Sequence, residues 1–126
     1  VDEAHVLLAT RNELGAEFLA QIQRRSRKYN TGTIIITQQP TDFAAPNVLV
    51  HGKAIFDNAA YYIIMGLRKQ ATDDLAKLID LNESEKDSIK YYNQGEALFV
   101  CGNRRMRINI IVTQEELDSF GSGGGL

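Results

Sequence analysis

The run Thr33-Ile34-Ile35-Ile36-Thr37 constrains this chain more than any other stretch. Five consecutive β-branched residues lose side-chain freedom in a helix and sit well on a pleated surface. A short apolar run of this kind reads as a strand buried on both faces, as in a parallel sheet. It ends at Gln38-Gln39-Pro40. Upstream, Thr10-Arg11-Asn12-Glu13 fits a capping box, and Leu14, Phe18, Ile22 and Tyr29 then fall on one stripe at about 100° per residue. That stripe is the expected core face of a helix. Asn30-Thr31-Gly32 stops it, with Gly32 expected in the left-handed conformation. The residues around Val1 read as the end of a strand, so the order is β-α-β and the expectation is a parallel sheet.

The rest of the chain alternates short elements. A loop of small residues covers 41–46, and a short helix or turn runs through Val50. Segments 53–57 and 60–67 read as two short strands with Asp57-Asn58 as the bend between them. Thr72-Asp73-Asp74 opens a helix carrying Leu75, Leu78 and Ile79. Asn82-Glu83-Ser84-Glu85 caps another that runs to Tyr92, and Gln94-Gly95 breaks it. Segments 97–100 and 106–112 form a hairpin around Gly102-Asn103. Thr113-Gln114-Glu115-Glu116 is a second capping box before a final helix ending near Phe120.

At 126 residues the chain is long enough for one domain with a real core. A formal net charge of −2 gives no global reason for nucleic acid to be an obligatory ligand. Cys101 is the only cysteine, which excludes an internal disulfide and suits a reducing compartment. No apolar run approaches a membrane span. Because the chain opens on what reads as the last turns of a strand, it is expected to be the C-terminal piece of something longer. Gly121-Ser122-Gly123-Gly124-Gly125 is read as a flexible tail outside the fold.

Ligands of parallel sheets gather beyond the C-terminal ends of the strands, which would bring Asp2, Glu3 and Gln38 to one edge. An Asp there can hold a metal through water, and a Glu one residue on can take a proton from water attacking a γ-phosphate. A Gln can hydrogen-bond that water or a phosphate oxygen through its donor and its acceptor. The plainer alternatives are an acidic tail for Asp2-Glu3 and a turn residue for Gln38. Near the helix end sit Arg24, Arg25, Arg27 and Lys28, where cations complement the helix dipole and are ordinarily solvated. With Leu14, Phe18 and Ile22 taken as the core side, Arg25 shares it, and Arg24 and Arg27 face the other way, free to reach another molecule.

Other chemistries find little support. His5 and His51 are isolated, and Cys101 has no partner at zinc-ligand spacing. A serine hydrolase would need a G-x-S-x-G elbow or its equivalent. Arg104, Arg105 and Arg107 follow the hairpin turn without the interleaved aromatics of a base-stacking surface, so a solvated hairpin is the expected account. Tyr61-Tyr62 and Tyr91-Tyr92 read as half-buried packing residues. The 126 residues contain no G-x-x-x-x-G-K-[ST] loop to cradle phosphates.

Taken together, Val1-Asp2-Glu3-Ala4-His5, Arg27-Lys28-Tyr29, Thr37-Gln38-Gln39-Pro40-Thr41-Asp42-Phe43 and Gly95-Glu96-Ala97-Leu98-Phe99 resemble the C-terminal half of the ATPase domain of conjugative type IV secretion ATPases. This is the fourth VirB ATPase class with its TraC and TrwK relatives, akin to the HerA and FtsK pumps. The resemblance covers 1–120. DEAH-box helicases share the first letters, but Ser-Ala-Thr is typical of their next motif, and Thr37-Gln38-Gln39 stands here.

The resemblance implies a RecA-like P-loop NTPase core, an α/β fold with a parallel sheet flanked by helices, lacking the P-loop strand and ending in a β-hairpin. It implies ATP and Mg2+ as ligands of the parent protein. Asp2 would be the metal-organising acid of the Walker B pair, Glu3 the catalytic base and Gln38 the sensor. Arg27 would be the finger that reaches a neighbouring subunit's nucleotide, with Arg24 held in reserve. The implied partners are the half that carries the P-loop, further copies in a ring or dimer, and secretion-system components at the cytoplasmic face of the inner membrane, with DNA as a further candidate. In the family the P-loop strand lies between the Walker B and sensor strands. Their unpaired backbone groups are therefore expected to be covered by another part of the parent, or by association or swapping. This chain alone is expected to be inactive. The rival readings are a DNA-pumping ATPase of the HerA or FtsK type, and a non-catalytic ATPase module serving as an assembly scaffold.

Overall fold

The computed structural model describes residues 1–8 and 13–120. The capping box at Thr10 and the glycine tail lie outside the described residues. Helix α1 covers Glu13–Ser26, α2 Leu49–Asp57, α3 Lys69–Leu75, α4 Glu83–Ile89 and α5 Gln114–Phe120. Strands β1 (Tyr61–Met65), β2 (Glu96–Cys101) and β3 (Arg104–Asn109) form a sheet in the order β1-β2-β3. Both pairings are antiparallel, with Tyr61 opposite Cys101 and Glu96 opposite Asn109. The expected parallel sheet is therefore not the sheet found: among the described residues the only sheet is this antiparallel one.

The β-branched run explains the difference. Segment 33–37 is in no assigned strand, and its burial alternates, with Ile34 75% and Ile36 52% exposed while Ile35 packs on the core. Period-two burial means an extended segment covered on one face only, not the two-sided burial expected.

Two apolar clusters carry the chain. The first joins Ala4, Leu8, Ala16, Leu19, Ala20, Phe43, Val48 and Ile55; the second joins Ile64, Leu75, Leu81, Ile89, Leu98 and Val100. Phe56 and Ile79 pack against both and weld them. The Phe56 ring meets Phe43 edge-on at 5.8 Å and stacks on Tyr62 at 6.2 Å, spacings at which aromatic pairs add to simple burial.

The apolar stripe of α1 is a second correction. Phe18 is 59% and Tyr29 76% exposed, and Leu14 is exposed too, whereas Ala16, Leu19 and Ala20 are buried. Small alanines let α1 approach α2 closely, so the larger side chains are left on the outer face. The helix stops with Asn30, not Gly32, in the left-handed conformation, at φ 50°. Asparagine tolerates that region better than most residues.

Segment 53–57, expected as a strand, lies inside α2. Its buried positions Gly52 and Ile55 and the preceding Val48 recur at three to four residues, which is a helical spacing. Both downstream capping boxes form. The Asn82 side chain accepts from the Glu85 N–H at 2.9 Å while Glu85 accepts from the Asn82 N–H at 3.0 Å. Thr113 and Glu116 do the same at 3.3 and 2.9 Å. Gly102 turns the β2–β3 hairpin at φ 56°. Two of the three arginines after it are engaged, not merely solvated. Arg105 pairs with Glu85 at 2.7 Å, and Arg107 pairs with Glu96 and lies over the Tyr92 ring. Tyr62 and Tyr92 are half-buried, but Tyr61 and Tyr91 are exposed. None of the described helices is long and apolar enough to cross a membrane.

Candidate active site

Residue 1 and segment 34–36 lie side by side. The Val1 nitrogen donates to the Ile34 carbonyl at 2.6 Å, and the Ile36 N–H donates to the Val1 carbonyl at 2.8 Å. One residue bracketing its neighbour in this way is the bonding sense of a parallel pair. The Ala4 N–H then donates to the Ile36 carbonyl at 2.9 Å. The β-α-β adjacency thus survives as three hydrogen bonds, short of a sheet.

Asp2 and Glu3 occupy the turn between those bonds. The Glu3 N–H donates to Asp2 Oδ1 at 2.8 Å, and the Glu3 carbonyl accepts from Val6 at the same distance, opening the 3-10 turn Ala4–Leu8. Glu3 sits at φ 46°, a left-handed conformation that costs a residue with a Cβ about 1 kcal/mol. Both residues are exposed. Mg2+ keeps several of its waters and takes one or two carboxylates beside substrate phosphates, a requirement that Asp2 fits with its second oxygen. Among the described residues no group of three or more His, Cys, Asp or Glu is gathered to cage a metal.

Gln38 is exposed two positions past Ile36. Behind it the chain is fixed tightly. The Thr37 hydroxyl accepts from the Gln39 N–H at 3.1 Å, and Pro40, buried, opens the 3-10 turn Pro40–Asp42. Phe43 is buried without exposed surface and closes the turn by donating to the Pro40 carbonyl at 3.1 Å. On one side α2 comes so near that a Cβ on Gly52 would stand 2.2 Å from the Phe43 carbonyl oxygen. On the other, α3 packs against the turn and presents Asp74, which is 3% exposed. Asp74 accepts from Lys77 Nζ at 2.6 Å and Gln70 Nε2 at 3.2 Å, and from the Thr41 side chain. The Lys77 hydrogen bond holds its carboxyl below the usual range, although burial opposes this. Sequence reasoning missed Gly52 and Asp74. The visible signal was Asp74 and Lys77 at helical i,i+3 spacing.

Arg24 is exposed in the last turn of α1, and Arg27 opens the 3-10 turn Arg27–Tyr29, its side chain lying outside the described set. The helical-phase reason for turning both away from the core fails, because the Leu14–Phe18–Ile22 stripe is the outer face. It is Arg25 that shares this outer stripe. The end of α1 is tied to Thr31, whose N–H donates to the Ser26 carbonyl at 3.1 Å. From Thr31 to Gln38 an extended chain runs roughly 20 Å. The structure therefore bonds the residues flanking the Asp2-Glu3 turn to segment 34–36, two positions before Gln38, and ties the arginine-bearing end of α1 to Thr31, at the other end of that segment.

No family model matches this chain. It is 25% identical over 130 aligned positions to an uncharacterized protein of Bacillus anthracis, an alignment covering 98% of this chain and 20% of that protein. Its structure is similar to that of VirB4 of Thermoanaerobacter pseudethanolicus, with a TM-score of 0.85 and 34% identity over 93% of this chain. The chain spans about a third of that protein's length, 31%, and resembles a portion of VirB4 built from helices and strands.

Proposed function

We propose that these residues are the hydrolytic half of a type IV secretion motor ATPase of the VirB4 class, running from its Walker B motif through 120 as the C-terminal half of a RecA-like domain. One observation carries the reading. In a chain 34% identical to part of VirB4, the residues flanking the Asp2-Glu3 turn are hydrogen-bonded to segment 34–36, which leads two positions on into Gln38. In this reading Asp2 orients the waters of a Mg2+ ion, which when bound neutralises charge on the phosphates of ATP. Glu3 takes the proton of the attacking water, and Gln38 aligns that water against the γ-phosphate, its position set by the fixed loop behind it. Arg27 keeps the finger role through its motif match, with Arg24 as the alternative. Either would serve a neighbouring copy's nucleotide in a ring or dimer. The phosphate cradle would come from the rest of the parent protein, at the cytoplasmic face of the membrane beside other secretion components.

The test uses a parent protein that includes a P-loop. Glu3→Gln should abolish ATP hydrolysis while nucleotide binding persists, and Arg27→Ala should reduce hydrolysis only in the assembled state. Hydrolysis unchanged in Glu3→Gln would refute the assignment.

A further inference from the structure

Among the described residues, two exposed surfaces match each other. The outer stripe of α1 forms a groove of about 330 Å3, lined by Phe18, Ile22, Arg25 and Tyr29. Phe18 and Tyr29 are mostly exposed; Arg25 lines the groove, and Arg24 and Lys28, exposed on the same end of the helix, leave that end with more cations than the one acid, Glu17, that binds the lining Gln21. The second surface is α5. None of its residues is buried, although it carries Leu117 and, three residues on, Phe120, which is 84% exposed. Its sequence Gln114-Glu115-Glu116-Leu117-Asp118-Ser119-Phe120 adds three acids and no base. A short amphipathic helix with two apolar anchors one turn apart is what a hydrophobic groove takes, and opposite charges on rim and helix set its orientation.

We propose that α5 of one copy docks in the α1 groove of a second copy of this chain. Leu117 and Phe120 enter between Phe18, Ile22 and Tyr29, while Glu115 and Asp118 face Arg25 and Lys28. The contact is heterologous: groove and helix are different patches, so each copy offers one of each and the association propagates from copy to copy until it closes into a ring. Charge complementarity selects this occupant. Another exposed apolar surface, the Tyr61–Ile63–Met65 side of β1, carries no acid in its own strand to answer the arginines. The inference concerns assembly alone and does not depend on the ATPase reading.

Sedimentation equilibrium over a wide concentration range tests it with this chain. The wild type should associate with rising concentration, about tenfold more weakly in high salt. Leu117→Asp, at an exposed position, and Ile22→Asp, at the groove, should each be monomeric with unchanged circular dichroism. Mixed, the two variants retain one intact helix and one intact groove between them and should form a one-to-one dimer and nothing larger. A wild type that stays monomeric, association that survives Leu117→Asp, or variants that fail to pair on mixing would each overturn the proposal. So would a Leu117→Asp that alters hydrogen exchange in α1 without a change of mass, because that would mean docking within one chain.

Discussion

Replacing Asp74 by alanine tests how the Gln38 loop is held. Asp74 is 3% exposed and accepts hydrogen bonds from Lys77, Gln70 and Thr41. Hydrogen bonds to a charged group contribute about 1.5–3 kcal/mol each, and breaking a buried ion pair costs about 3–5 kcal/mol. Here the donors lose less than that. Thr41 is exposed and the Lys77 side chain is 56% exposed, so both regain water once the carboxylate is gone. The expected net loss is about 2–3 kcal/mol, read from the urea midpoint with the slope unchanged.

The pH dependence fixes the cause. The Asp74 carboxyl titrates below its usual value of about 3.9, chiefly through the Lys77 hydrogen bond. A group lowered on folding contributes stability in full above its unfolded value and loses it as pH falls through the folded one. The gap between wild type and Asp74→Ala should therefore be constant from about pH 5 to 8 and shrink below about pH 4. Asp87 is the control: its carboxyl is also lowered, by Lys90 at 2.9 Å, but it is exposed. Asp87→Ala should be indistinguishable from wild type. A loss for Asp74→Ala below about 0.5 kcal/mol, or a gap that widens in acid, would refute the account.

Two further substitutions test neighbouring devices. Gly52→Ala should destabilise by about 1–2 kcal/mol, because overpacking against the Phe43 carbonyl exceeds the roughly 1 kcal/mol that alanine gains in a helix; Gly32→Ala, with nothing within 4 Å, should be neutral in the same thermal melts. Asn82→Ala should cost about 1 kcal/mol by removing the reciprocal cap of α4, and Asn82→Asp should retain most of it, as circular dichroism in urea will report.

What the sequence revealed, and what it hid, follows from which effects are local. The Asn82 and Thr113 capping boxes and the Gly102 turn join residues a few positions apart, and they form as read. The adjacency of the opening residues and segment 34–36 was legible too, because β-α-β order favours neighbouring segments, and three hydrogen bonds join them. Errors arose where a residue's role depends on a distant surface. Leu14 and Phe18 outweigh Ala16 and Ala20 in hydrophobicity, yet the alanines face inward because α2 comes close there. Segment 53–57 reads as a strand, yet it continues α2, which packs at Gly52 against the Phe43 carbonyl. The parallel sheet failed for the same reason. Two-sided burial of 33–37 requires a second layer, and the described residues cover only the Ile35 side.

These placements also bear on how the proposed site could work. Gln38 is carried on a loop wedged between α2 and α3, whereas Arg24 ends a helix whose outer stripe faces solvent. An arginine side chain extends well under half of the roughly 20 Å that separates the two along the chain. In the proposed reading, a nucleotide held against Gln38 would therefore draw its arginine from another copy, while the phosphate cradle comes from the rest of the parent protein. The groove beside Arg25 lies at that same end of α1. A helix docked there from a neighbour would fix the arginine-bearing end against that neighbour, so assembly and the supply of the missing charge would be one event. Leu117→Asp separates the two ideas. If assembly through α5 delivers the arginine, this variant lowers hydrolysis in the P-loop-containing parent as far as Arg27→Ala does, and the two losses do not add. Additive losses would mean that the groove and the finger act independently.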